Sequence, residues 1–205
     1  MAGCCNHDCS LDRLRDKQRG TLRAVLAINA VMFVVIVVAA LHAGSSALLS
    51  DSLDNLGDAL TYGLSLYAVA RGPHTKARVA LFKGGLILLG ALIVAGQILF
   101  RLWQPHVPVF EEMGLFSLLG LAANASCLGL LWRHRHEDIN MSSVWECSRN
   151  DIASNLSVFV AAMAVWATGS GWPDILVASA LVILLLRSAW RVIRAARRQL
   201  LVTEN

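Results

Sequence analysis

Charge is what this 205-residue chain has least of: 16% of its residues are Asp, Glu, Lys or Arg, against about a quarter in an ordinary soluble domain. With 56% hydrophobic residues and a mean hydropathy of +0.57, it has too little polar surface for a soluble enzyme of this length. Low-complexity polar tracts are also missing, which excludes a disordered chain. The five cysteines form no disulfide framework, because Cys4, Cys5 and Cys9 lie together near the amino terminus and Cys127 and Cys147 fall inside apolar runs. No glycine-rich phosphate-binding loop is present, which disfavours an ATP-driven pump. A net charge of +4 would suit a nucleic-acid binder if the basic residues formed a patch, but they flank apolar runs instead. No nucleic acid is expected as a partner, and the lipid bilayer is.

A helix needs roughly 20 mostly apolar residues to cross the hydrocarbon core. Six runs qualify: Thr21 to His42, Ser45 to Val69, Val79 to Leu102, Met113 to Trp132, Ile139 to Thr168 and Ile175 to Ile193. The expected fold is an all-α bundle of six transmembrane helices. The first run follows some twenty polar residues and shows no small-residue cleavage site, so it is not read as a signal peptide. Of the 18 Lys and Arg residues, fifteen lie at or beyond the span ends on one side of the bilayer and only Arg101 at the other, while Lys83 and Arg149 lie well within spans. The basic side faces the cytoplasm, so both termini are expected there. The short connections at 43–44, 70–78 and 169–174 make the helices they join antiparallel neighbours. The chain then divides into a cytoplasmic tail with a Cys/His cluster (1–20), the six-span domain (21–193) and a basic cytoplasmic tail (194–205) that is too short to fold by itself.

Spans one, three, four and six offer little chemistry, whereas spans two and five carry groups that lipid does not tolerate. Span two holds Ser50-Asp51-Ser52-Leu53-Asp54-Asn55-Leu56-Gly57-Asp58, and span five holds Glu146-Cys147-Ser148-Arg149-Asn150-Asp151-Ile152-Ala153-Ser154-Asn155. An Asp at a helix centre costs about 2.5–3.5 kcal/mol on insertion scales, so these carboxylates need a compensating partner. At 1.5 Å per residue, Asp54 and Asp58 lie about 13 and 20 Å from the outer end of span two, and Cys147 and Asp151 about 12 and 18 Å from the inner end of span five. Both pairs straddle the midplane, and each has the i, i+4 spacing that puts two side chains on one helix face.

Two ligands from each of two helices make the four-coordinate set that zinc takes. A bound dication would neutralise the acids, and the Cys147 thiolate would favour a borderline or soft ion such as zinc or cadmium over magnesium or calcium. Thiolate and carboxylates bind metal only when deprotonated, so protons compete with the ion, and antiport against protons follows naturally. The ion is cargo, and no cofactor is expected. Asp51 is a candidate supporting group or proton relay, and an entrance-lining residue or a helix–helix hydrogen bond accounts for it equally well. Asn55 and Asn155 either orient ligands or act as interhelical glue. Glu146 and Arg149 suit a pair with each other or with the site, or Arg149 snorkels toward the cytosol, and Lys83 suits a salt bridge to an undetermined acid. Cys4, Cys5, His7 and Cys9 have the ligand chemistry to capture metal, yet a tail with incidental cysteines accounts for them equally well.

The segment from Ser45 to Asp58 resembles the second helix of the cation diffusion facilitator family, which carries a His or Asp, three residues, then Asp; Asp54 and Asp58 occupy those positions. The segment from Asp138 to Asp151 resembles the run into the family's fifth helix, with Cys147 in place of the usual His and Asp151 matching. The resemblance implies a non-enzymatic exporter that moves zinc or related divalent metals out of the cytosol in exchange for protons, usually as a homodimer. It also suggests a bacterial inner membrane. Two departures stand out. Family members commonly have a carboxy-terminal cytoplasmic domain, and this chain reads as a short form without it; the Cys also shifts preference toward softer ions. Competing readings are a membrane module that binds or senses metal without transport, and a proton-coupled exporter of organic cations. An intramembrane aspartate protease fits less well, since here the acids cluster with a thiol in ligand spacing.

Overall fold

The computed structural model describes residues 5–68, 73–132 and 139–203, with side chains included except at 5–19, 64–65, 67–68, 73–76, 79, 139–150, 199 and 201–203. Within that description the chain is a bundle of six helices: α1 (Cys5–Ala43), α2 (Ser46–Ala68), α3 (Pro73–Trp103), α4 (Phe110–Trp132), α5 (Ile139–Thr168) and α6 (Trp172–Thr203). Five of the expected spans fall inside one helix each; the second, Ser45 to Val69, matches α2 except for Ser45, which precedes the helix, and position 69, which lies outside the described residues. Two helices overrun their spans by ten residues or more. α1 starts fifteen residues before Gly20, and α6 continues to Thr203, so the stretch past Ile193 that was expected not to fold is helical. The physical reason is that Arg, Ala, Gln and Leu are strong helix formers. No Gly or Pro interrupts Arg194 to Thr203, and a polar helix need not stop where the lipid does.

The outside of the bundle is apolar, and polar groups are buried within a largely apolar core. Asn29, Ser50, Asp51, Asn55, Asn124, Asp151, Asn155 and Asp174 are all buried, while Val31, Val34, Val38 and Leu41 form an exposed stripe at helical spacing on α1. Both features suit a hydrocarbon solvent, in which helices associate through small residues and buried polar groups. Five helices carry segments long and apolar enough to cross a membrane. The remaining one, α2, holds three aspartates between Ser50 and Ala59. Its acids are tolerated because it packs against all five other helices, which takes much of its surface away from lipid.

The α1–α2 and α5–α6 turns are glycine-built. Gly44 (φ 63°) and Gly169 (φ 60°) take the left-handed conformation that closes α1 and α5. After Gly44 the Ser45 amide bonds back to the Ala40 carbonyl at 3.0 Å, and after α5 the Gly169 amide bonds to Val165 at 2.8 Å. Ser45 then caps α2 by accepting from the Leu48 amide at 3.0 Å. The next two amides of α2 are held from α6: Asp174 accepts from Ser46 N at 2.9 Å, from Ala47 N at 3.0 Å and from the Ser45 hydroxyl at 2.6 Å. One buried carboxylate thus fixes where the acid-bearing helix begins.

Candidate metal site

α2 and α5 cross directly, and three of the four candidate ligands have described side chains. Asp54, Asp58 and Asp151 all line one cavity of about 950 Å³, bounded by α2, α3, α5 and α6. Asp58 and Asp151 are both buried, and their carboxyl groups lie close enough across the α2–α5 crossing to interact directly. Asp54 is tied to α5 differently, by a 2.9 Å hydrogen bond from the Ser154 hydroxyl. Among the described residues, no three His, Cys, Asp or Glu side chains converge closely enough to hold an ion as they stand. The side chain of Cys147 lies outside the described residues; its place on α5 is one turn before Asp151. Cys4 lies outside the description altogether, and so do the side chains of Cys5, His7 and Cys9.

The neighbouring polar groups are arranged around these acids. Asp51 is completely buried, does not line the cavity, and leaves both carboxylate oxygens without a hydrogen-bond partner. Asn55 and Asn155 each donate to the carbonyl one turn back, on Asp51 at 3.2 Å and on Asp151 at 2.8 Å, rather than to a carboxylate. The Asn155 side-chain oxygen has no partner. Asn124 and Cys127 are buried on α4, and Cys127 accepts a long contact of 3.9 Å from the Asn29 amide.

Sequence reasoning missed two contacts. Tyr62, fully buried one turn past Asp58, donates its hydroxyl to the Asp58 carboxylate. Ser154, three residues past Asp151, does the same for Asp54. The i, i+4 spacing puts the Tyr62 hydroxyl beside Asp58 on one helix face, and that signal was available; the Ser154 contact crosses between helices and had none. Lys83 proves to lie in the same cavity, donating to Thr61 on α2, with its charge acting on Asp58.

Three carboxylates sharing a low-dielectric cavity repel one another, and the arrangement is stable only with positive charge among them, as protons, lysine or a metal ion. Such clusters in spanning segments mark ion and proton pathways.

Comparison with known proteins agrees with this reading. The model of the cation efflux transmembrane domain matches residues 22–201. The chain is 26% identical over 200 residues to the zinc transporter ZitB of Yersinia pestis, covering 91% of this chain and 64% of that protein. It is 25% identical over 193 residues to the metal cation efflux system protein CzcD of Cupriavidus metallidurans, covering 88% of this chain and 61% of that protein. The chain therefore spans somewhat under two thirds of these relatives' length. With its apolar helices and its match over nearly all six of them, it is a multi-pass integral membrane protein and belongs to the cation efflux family, the cation diffusion facilitators.

Proposed function

We propose that this chain exports a divalent heavy-metal cation, zinc or cadmium, from the cytosol in exchange for protons. The observation that carries the proposal is the buried Asp58–Asp151 pair where α2 crosses α5, on the wall of a cavity that Asp54 also lines. Membership of the cation efflux family gives it direction. The proposed ligands are Asp54, Asp58, Cys147 and Asp151. Loading the ion requires Asp54 to give up its hydrogen bond from Ser154 and turn toward Asp58. Carboxylates and thiolate must shed protons to take the ion, so metal and protons occupy the site in alternation, and a rocking of helices that exposes it to either side yields exchange.

Asp51, Asn55 and Asn155 are proposed to support the ligands from behind, holding the α2 and α5 backbones that bear them. Cys4, Cys5, His7 and Cys9 are proposed to gather metal at the cytosolic face, where the excess of basic residues places both termini. The working unit is proposed to be a homodimer in a bacterial inner membrane.

The test is metal-dependent proton flux in proteoliposomes, over a panel of divalent ions. Wild type should move zinc or cadmium one way and protons the other, while Asp58→Ala and Asp151→Ala should reach the membrane and move neither. Retained transport in either variant overturns the proposal.

A further inference from the structure

Lys83 stands apart from the other basic residues of the chain. A lysine on a spanning helix ordinarily extends its stem toward the nearer interface and leaves its charge in water. Lys83 turns inward instead, half-buried, and donates to the Thr61 hydroxyl on the neighbouring helix α2. Thr61 is set up to receive it. The threonine hydroxyl spends its own proton on the Gly57 carbonyl at 2.7 Å, which leaves its oxygen lone pairs for the ammonium. Thr61 lies three residues past Asp58, a rise of about 4.5 Å along the helix, and both residues line the cavity that holds Asp54 and Asp151. At that position the lysine's charge acts on the Asp58 carboxylate.

We propose that Lys83 is a tethered counter-cation of the aspartate cluster, whose fixed charge sets how tightly a divalent ion is held there. The inference rests on the metal-binding reading of the site. Without metal, the ammonium supplies part of the positive charge that Asp54, Asp58 and Asp151 require. A dication arriving among the same acids must displace that attraction and bear the repulsion of the ammonium. Lys83 thereby weakens binding and eases release, which a carrier needs and a storage site does not. Arg187 and Arg191 also line the cavity, but their side chains are exposed rather than half-buried. Lys83 is the cavity cation held by hydrogen bonding against α2.

The sign of the effect separates this role from a structural one. A structural lysine, once removed, loosens the site and weakens metal binding. A counter-cation, once removed, tightens it. The gain survives proton competition, because a dication feels the removed charge twice as strongly as each proton it displaces, so a net gain remains when one proton leaves per ion.

Zinc and cadmium binding would be measured by titration calorimetry on the 205-residue chain in detergent, with Cys4, Cys5 and Cys9 changed to Ser so that tail thiols do not contribute. Lys83→Gln and Lys83→Met should each bind the dication about tenfold tighter or more. Lys83→Arg, which restores the charge, should bind like the parent. Unchanged or weaker binding in both neutral variants overturns the counter-cation role. Asp58→Asn serves as the control: if it abolishes binding while the neutral Lys83 variants fail to tighten it, the inference fails and the metal site stands. If Asp58→Asn binds like the parent, the site itself is wrong and the inference falls with it.

Discussion

The carboxylate of Asp174 ties two helices together at the end of the bundle where α2 begins, and its removal has a calculable cost. Asp174 is 129 residues from Ser45, and it accepts from the Ser45 hydroxyl and from the Ser46 and Ala47 amides at 2.6, 2.9 and 3.0 Å. All four residues are buried, so Asp174→Ala leaves three donors with nothing to meet. A buried donor left unsatisfied costs about 1–3 kcal/mol, and loss of a capping group about 1 kcal/mol. Some relaxation and water entry are inevitable, so the expected total is about 3–5 kcal/mol rather than the full sum. For a chain of this size that corresponds to a fall in Tm on the order of 10 °C. Asp174→Asn keeps one acceptor oxygen but turns an amide toward a backbone N–H, and should lose roughly half as much. Thermal unfolding in detergent measures the total, and amide hydrogen exchange locates it. Ser46, Ala47 and Leu48 should exchange faster in the variant, while the start of α4 at Phe110 to Met113 should not change. An unaltered Tm together with unaltered exchange at Ser46 and Ala47 would refute the reasoning.

Two further predictions concern the α4–α5 contact and the ligand Asp54. A methyl group added at Gly120 would sit 2.0 Å from the Asn155 side-chain oxygen and 3.4 Å from Ile36, whereas one added at Gly129 on the same helix meets nothing within 4 Å. Gly120→Ala should therefore destabilise the protein by about 1–3 kcal/mol through overpacking while Gly129→Ala leaves it unharmed; equal Tm values for the two would count against this geometry. Ser154→Ala removes the hydrogen bond that holds Asp54 toward α5. Since a bound ion must break that bond, zinc affinity in the variant should rise by the few-fold that about 1 kcal/mol allows, and a marked fall in calorimetric affinity would show that Ser154 assists binding instead.

How far the sequence could be read depended on the range of the physics involved. The six spans were legible because lipid enforces a single rule on every residue that faces it, and α5 runs over 139–168 as its hydropathy implied. The extensions of α1 and α6 were not, because hydropathy reports where lipid ends and says nothing of where a helix ends. Asp58 and Asp151 stood out as acids at forbidden depth, and they do meet across α2 and α5. That Asp54 would bond to Ser154, 100 residues away, depends on the rotation of both helices about their axes, which no local pattern encodes. Asp174 passed unnoticed for the same reason. At the start of a span an acid looks like an ordinary helix N-terminal residue, and only the folded chain shows that the terminus it serves is also that of α2. Lys83 was visible as an intramembrane cation, but its partner became known only with the packing of α3 against α2.

The central claim is that a divalent ion sits among the acids of α2 and α5 together with the sulfur of Cys147. X-ray absorption at the zinc edge, on protein whose Cys4, Cys5 and Cys9 are changed to Ser and which carries one zinc ion, reads that shell directly. The expected spectrum has one sulfur at about 2.3 Å and oxygens at about 2.0 Å, with the sulfur lost in Cys147→Ser and zinc binding lost in Asp58→Asn. A shell of oxygen and nitrogen alone, unchanged by Cys147→Ser, would contradict it.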